Sequence, residues 1–125
     1  MEHKSSLYTP LTLSLLAWAE TQEVDVVVVK EDWLKKARYL FNYQRVEVSW
    51  NFLCGETEKF YSNKISPYQL MEVVLSHELG HHIAGADEAS AWNAGERLIQ
   101  ELGHPLPKFL PYARRKALRS YGIKQ

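Results

Sequence analysis

The run His77-Glu78-Leu79-Gly80-His81 constrains this chain more than any other stretch of its sequence. Two histidines four residues apart lie on the same face of an α-helix, so both imidazoles can reach one metal ion. The glutamate between them lies about 100° further round the helix, where it can contact a water molecule beside the metal rather than the metal itself. The pattern therefore predicts a helix that carries two metal ligands and a general base.

The residues around this run indicate where the helix begins and ends. Ser66 is a good N-cap, Pro67 suits the first helical position, and Gln69 completes a capping box with Ser66. Gly85 follows the last helical positions, as expected of a residue that ends a helix. We therefore expect a helix from about Pro67 to Ile83. Three apolar residues share the inward face of the two histidines: Leu70, Val73 and Val74.

A hydrolytic zinc site usually has three protein ligands and one open position, so a third ligand is needed. Asp87 lies ten residues after His77, which is the spacing of HExxHxxGxxD enzymes. The glycine of that pattern would stand at Ala84, but it stands one residue later, at Gly85. The alternative is Glu88, which opens a second apolar-striped helix and could face the first one. The misplaced glycine favours Glu88, with Asp87 as an N-cap. Asp87 stays open as the alternative ligand, because only six residues separate His81 from Glu88.

The HELGH run at 77–81, followed by EASA at 88–91, resembles the small gluzincin metallopeptidases. These include the soluble minigluzincins, the catalytic domains of HtpX-type membrane peptidases and the ImmA/IrrE metallopeptidases. The resemblance covers roughly residues 66–102, and beyond them only the order of elements matches. It implies a zincin-like fold and a zinc-dependent endopeptidase that acts on a peptide or protein, and some members of these families are latent or regulatory.

Carried over residue by residue, the resemblance implies that His77, His81 and Glu88 bind Zn²⁺ and that Glu78 is the catalytic general base. The chain departs from the family pattern in two ways. Only six residues separate His81 from Glu88, which is a short spacer. Trp92 also stands where membrane-type relatives often carry an aspartate.

The rest of the chain predicts one α+β domain over residues 1–125, a minimal zincin-like domain with a small sheet packed on the motif helix. The sheet is predicted to contain a β-hairpin, and we expect the edge strand of this hairpin to pair with an extended substrate. Its Trp50 and Phe52 are expected to pack in the core. The predicted elements are a helix over 10–22, a strand over 24–29, a short helix over 31–41, hairpin strands over 45–53 and 59–62 with Gly55 in the turn, a ligand helix over 88–102 and a basic helix over 112–121.

Composition narrows the cellular setting and the class of protein. Hydrophobic residues make up 46% of the chain, which favours a compact core over disorder. The single cysteine, Cys54, excludes an intramolecular disulfide and a CxxC zinc site. An apolar run of about 20 residues, as a membrane span needs, is missing from the sequence. We therefore expect a cytoplasmic protein without a membrane span.

Charge is distributed unevenly along a chain whose net charge is zero. The tail over residues 103–125 has six basic residues and no acidic one, whereas the preceding residues carry all fifteen acids and nine bases. This asymmetry predicts a tail that lies on the acidic body, where it could cover the cleft and keep a peptidase latent. The alternatives are a tail that contacts nucleic acid, which the overall neutrality does not favour, and an inactive, metal-stabilised interaction module.

Two further roles stay open at the level of sequence. Peptide hydrolysis needs a group that stabilises the oxyanion, and four side chains are candidates: His82, His104, Tyr112 and Arg114. Cys54 could act as a removable thiolate ligand, although its position predicts a buried or turn cysteine.

Overall fold

The computed structural model describes residues 7–122, which form an α+β fold of five helices and three strands. Among these residues, no helix combines the length and the hydrophobicity that a membrane crossing requires. The elements in chain order are α1 (Pro10–Thr21), β1 (Asp25–Val29), β2 (Ala37–Leu40), β3 (Arg45–Ser49), α2 (Trp50–Phe60), α3 (Pro67–Ala84), α4 (Glu88–Glu101) and α5 (Leu110–Ser120).

The three strands form one mixed sheet with β3 in the centre. β3 pairs in parallel with β1 and antiparallel with β2, which leaves β1 and β2 as the edge strands. Val46 and Val48 point from β3 into the core and are fully buried. Glu47 lies between them on the opposite face, where Arg38 and Arg45 form ion pairs with its carboxylate at 2.7 and 3.0 Å. Because successive side chains alternate, strand β3 has one apolar face and one face with an ion-paired side chain.

The predicted hairpin over 45–62 is wrong, because the strand ends at Ser49 and a helix follows. The Ser49 side chain accepts a hydrogen bond from the backbone N–H of Phe52 at 3.1 Å, so it caps α2. Gly55 lies inside this helix rather than in a turn. The alternation of apolar residues continues past Ser49 by coincidence, while the buried Leu53 and Thr57 have the four-residue spacing of a helix.

The short helix expected over 31–41 is also wrong, because Ala37–Leu40 is strand β2. The real hairpin joins β2 to β3 through a turn in which Gln44 has a positive φ of 45°. Apolar residues in this segment have helical spacing, but the backbone groups of β3 need a partner on this side, and that pairing decides the structure. The edge strand beside the motif helix is therefore β2.

The other predicted elements are confirmed with small shifts at their ends. Strand β1 and helices α1, α3 and α4 lie where the sequence places them, and α5 begins two residues before the predicted start. Both hydrogen bonds of the capping box are present, with Ser66 N to Gln69 Oε1 at 2.8 Å and Gln69 N to Ser66 Oγ at 3.2 Å. Trp50 and Phe52 pack against the core from α2 and are partly buried.

Helices α3 and α4 approach each other so closely that their backbones are nearly in contact. A Cβ atom added to Gly80 would lie 1.9 Å from the carbonyl oxygen of Ala91, and one added to Gly95 would lie 2.5 Å from the carbonyl oxygen of Ser76. The absence of a side chain at these two positions therefore sets the distance between the two helices.

We expect Gly95→Ala to lower the free energy of unfolding by about 2 kcal/mol, as is typical of overpacking in a rigid interior. The matched control is Gly55→Ala, because Gly55 is also inside a helix but a Cβ there would meet nothing within 4 Å. The control should gain roughly 0.5–1 kcal/mol, since alanine favours the helix over glycine. Urea denaturation measures both changes. Equal stability of the two variants would contradict the close contact.

Candidate metal centre

Three side chains from α3 and α4 converge on one point at the start of α4. His77, His81 and Glu88 each offer one donor atom, and the three atoms lie within 4.8 Å of one another. We call these residues the ligand cluster. The Nε2 atom of His77 lies 2.9 Å from Oε1 of Glu88, and the Nε2 atom of His81 lies 3.2 Å from Oε2. A single carboxylate thus spans both imidazoles.

The donor atoms fit a metal ion in spacing and in chemistry. Donors around a tetrahedral ion with bonds of about 2.0–2.1 Å lie roughly 3.3 Å apart, close to the two nitrogen–oxygen distances of the ligand cluster. Two imidazoles and one carboxylate suit several divalent transition metals, zinc among them.

Burial and mutual attraction oppose each other in the ligand cluster. Burial alone would lower the pKa of His77, but hydrogen bonds and charge interactions with Glu78 and Glu88 outweigh it and raise this pKa to about 9. Burial would raise the pKa of Glu88, but its hydrogen bond to His77 and the nearby imidazoles lower it. Without a bound ion, an ionic cluster therefore holds the same side chains together, and a metal must displace a proton to bind.

The carboxylate of Glu78 lies beside the ligand cluster without belonging to it. Its Oε2 atom is 3.3 Å from Nδ1 of His77, and the side chain is 7% exposed. Glu78 and His77 both line a cavity of about 370 Å³. The carboxylate therefore has the position expected of a base that acts on a molecule held in this cavity.

The cavity has mainly apolar walls that include charged side chains of both signs. Apolar side chains of α2, α3 and α5 line it, together with Ala37 of the edge strand β2 and Trp92 of α4. Three lysines also line it: Lys36, Lys59 and Lys116. Glu56 and Glu78 line it too, and Glu56 is paired with Lys116. The apolar walls suit a substrate with an apolar side chain.

Asp87 lies outside the ligand cluster and caps α4 instead. Its carboxylate accepts hydrogen bonds from the backbone N–H and the hydroxyl of Ser90 at 2.9 and 2.7 Å, and these bonds lower its pKa. Glu88 follows as the first residue of the helix and points to the histidines. Of the two alternatives for the third ligand, the structure brings only Glu88 to His77 and His81.

The indole ring of Trp92 stacks on the imidazole of His77, with ring centroids 4.5 Å apart and planes inclined by 13°. Trp92 is 4% exposed, so it confines the imidazole from one side. The sequence interpretation missed this contact. The available signal was its spacing, because Trp92 lies four residues after Glu88 and therefore on the same face of α4.

None of the four sequence candidates for oxyanion stabilisation is among the residues that line the cavity. Each contacts another described side chain: His82 contacts Tyr39, His104 contacts Ser14, Arg114 contacts Glu96 and Asn93, and Tyr112 contacts Tyr61. Tyr121, which the sequence interpretation did not consider, does line the cavity. Burial and the charges of Glu88 and Glu78 raise its pKa, so this phenol lies within the field of both carboxylates.

Helix α5 forms one wall of the cavity and is tied to the body by charge. Lys116 donates to Glu56 at 2.8 Å, and Arg114 donates to Glu96 at 2.7 Å. Leu110 and Leu118 are buried in the core. Lys124 of the predicted basic tail lies outside the described residues.

Cys54 is a half-buried free thiol in α2 whose pKa is raised by burial. It is not among the residues that converge in the ligand cluster.

The chain matches no protein-family model, and no curated protein or solved structure is significantly similar to it. Its function must therefore be inferred from the chemistry of the residues themselves.

We expect Glu88→Ala to weaken zinc binding by more than about 100-fold, because the site would retain two protein ligands instead of three. Asp87→Ala is the matched control. It should destabilise α4 through loss of the cap but leave zinc affinity within a few-fold of wild type. Competition with a chromogenic chelator measures both affinities. A larger loss in Asp87→Ala than in Glu88→Ala would contradict this assignment.

The raised pKa of His77 predicts how the stability of the metal-free protein depends on pH. The pKa of His77 is about 9 in the folded protein, against about 6.5 for an ordinary histidine, so the stabilisation is fully present below pH 6.5 and is lost as the pH rises through 9. Urea denaturation with excess chelator should therefore show a difference between wild type and His77→Gln that shrinks over this range. A difference that grew with pH would contradict the ionic cluster.

Proposed function

We propose that the protein is a zinc-dependent peptidase with a minimal zincin-like fold, similar to the small gluzincins. The observation that carries this proposal is the convergence of His77, His81 and Glu88 within 4.8 Å at a cavity that Glu78 also lines. A metal site alone could be structural. A carboxylate that lies beside the donors, faces a cavity and is not needed as a ligand supports hydrolysis.

The residues of the site have distinct roles in the proposed reaction. A zinc ion held by the ligand cluster would lower the pKa of a water molecule to about 7 and would polarise the carbonyl of the scissile peptide. Glu78 accepts the proton of that water as it attacks the carbonyl carbon. Glu78 then delivers the proton to the leaving amine, which breaks the carbon–nitrogen bond. Trp92 keeps the imidazole of His77 in place during these steps.

Strand β2 supports a peptide as the substrate. Its residues Ala37–Leu40 pair with β3 on one side only, so the other side offers backbone groups to an extended chain. Ala37 lines the same cavity as Glu78. A peptide that pairs with β2 would therefore run past the proposed base. Tyr121 lines this cavity and its hydroxyl is a candidate donor to the oxyanion.

The contacts of α5 bear on the two rival functions of the basic tail. Arg114 and Lys116 form ion pairs with acids of the same chain, which weighs against a surface for nucleic acid. Latency through this helix is compatible with its place on the cavity wall. Because Leu110 and Leu118 are part of the core, we expect deletion of the tail to destabilise the domain, and point variants of Lys116 test latency better.

We expect Glu78→Gln to bind zinc as tightly as wild type but to lose at least about 100-fold in peptide hydrolysis, since amide oxygen cannot act as a base. Glu72→Gln is the matched control, because Glu72 lies on the same helix but does not line the cavity. Cleavage of a quenched fluorescent peptide library measures activity. Zinc binding with equal activity in Glu78→Gln and wild type would contradict the proposed base. Zinc binding without cleavage by any form would favour the inactive interaction module.

A further inference from the structure

The turn between α3 and α4 contains only three residues, and the first of them contacts a ligand twice. The backbone N–H of Gly85 donates to the carbonyl oxygen of His81 at 2.9 Å. The carbonyl oxygen of Gly85 lies 2.8 Å from Nδ1 of His81. Gly85 is therefore bound to both the backbone and the side chain of the same histidine.

The second contact determines which nitrogen of His81 carries hydrogen. A carbonyl oxygen can only accept a hydrogen bond, so Nδ1 must be the donor. In a neutral imidazole, Nε2 then has the free lone pair. Nε2 is also the atom that lies 3.2 Å from Glu88 and faces the ligand cluster. The contact thus directs the metal-binding nitrogen of His81 to the point where the donors meet.

The backbone at Gly85 has a conformation that only glycine adopts readily. Its φ is 92° and its ψ is −159°, a region that other L-residues avoid. A Cβ at this position would meet nothing within 4 Å. Position 85 therefore requires glycine because of its backbone conformation. Gly80 and Gly95 are required for a different reason, because a Cβ atom there would clash with the backbone of the other helix.

We propose that Gly85 is a positioning residue for the metal site, whose carbonyl group fixes the tautomer and the ring orientation of His81. This inference rests on the proposed metal site. It also explains how six residues between His81 and Glu88 suffice. Gly85 turns the chain directly after α3, Asp87 caps α4 two residues later, and Glu88 begins α4 within reach of both histidines.

The two histidines are held by different means, and this difference makes the proposal specific. His77 is confined by the stacked ring of Trp92 and by the carboxylate of Glu78. His81 has the Gly85 carbonyl as the partner of its Nδ1. An L-residue at position 85 would rotate the peptide group that follows it and move this carbonyl away. His81 would then lose its orientation while His77 kept its own.

The test compares Gly85→Ala with Gly103→Ala. Gly103 also has a positive φ, of 85°, and also has free space around it, but it lies at the far end of α4, about 20 Å along the helix axis from Glu88. Both substitutions strain the backbone and should lower stability. Only Gly85→Ala should weaken zinc binding, by about 10–100-fold, as is typical of the loss of a partner of a ligating histidine.

A spectroscopic measurement separates positioning from a general loss of stability. In the zinc-bound wild type, the Nδ1–H proton of His81 should be protected from exchange with water and visible by NMR, and in Gly85→Ala it should exchange rapidly. Replacement of Gly85 by D-alanine, for which this backbone region is the ordinary extended one, should restore both the protection and the affinity.

The outcomes distinguish failure of the inference from failure of the metal site. A wild-type protein that binds no zinc would overturn the proposed site itself. Zinc binding by wild type and Gly85→Ala with equal affinity and an equally protected proton would overturn the role of Gly85 alone. A D-alanine variant as impaired as Gly85→Ala would overturn the argument from backbone conformation.

Discussion

The close crossing of α3 and α4 is the contact on which the candidate site depends. Gly80 lies against the backbone of Ala91, and Gly95 lies against the backbone of Ser76, so the two helices meet without intervening side chains. A methyl group at either point would separate the helices. Since the histidines are on α3 and Glu88 is on α4, such a separation would also move the donors apart. The close packing of the two helices therefore also sets the geometry of the site. Gly80, which is part of the HExxH run, allows this close packing.

The crossing of α3 and α4 buries polar side chains together, although the burial of each one alone would be unfavourable. Two imidazoles and two carboxylates lie in a region that is mostly shielded from water, and they are tolerated because they pair with each other. These imidazole–carboxylate pairs resemble the arrangement of donors that a divalent cation would require, except that a shared proton holds them together instead of the cation. A site of this kind can remain folded while it exchanges one for the other, and the balance between proton and metal sets its affinity at a given pH.

Local sequence signals predicted the parts of the molecule that local interactions decide. The capping box at Ser66, the glycine after α3 and the cap at Asp87 each act within a few residues, so α3, α4 and the convergence of Glu88 with the histidines could be foreseen. Strand β2 could not, because it forms through pairing with β3 and its own spacing is helical. The contact between Trp92 and His77 and the place of Tyr121 on the cavity wall depend on how helices pack, and a single sequence carries little information about that.

Helix α5 also determines the order in which the site can be completed during synthesis. The ion pair between Lys116 and Glu56 joins residues 60 positions apart, and the wall that α5 contributes comes after every residue of the ligand cluster in the chain. As a nascent chain emerges from its N-terminal end, α3 and α4 can pack and gather the metal donors before α5 exists. In the proposed function, the donors could then bind an ion in an open groove, and only the docking of α5 would complete the wall of the cavity beside Glu78. Under the proposed function, metal loading and completion of the cavity wall would therefore be separate events in the life of one chain.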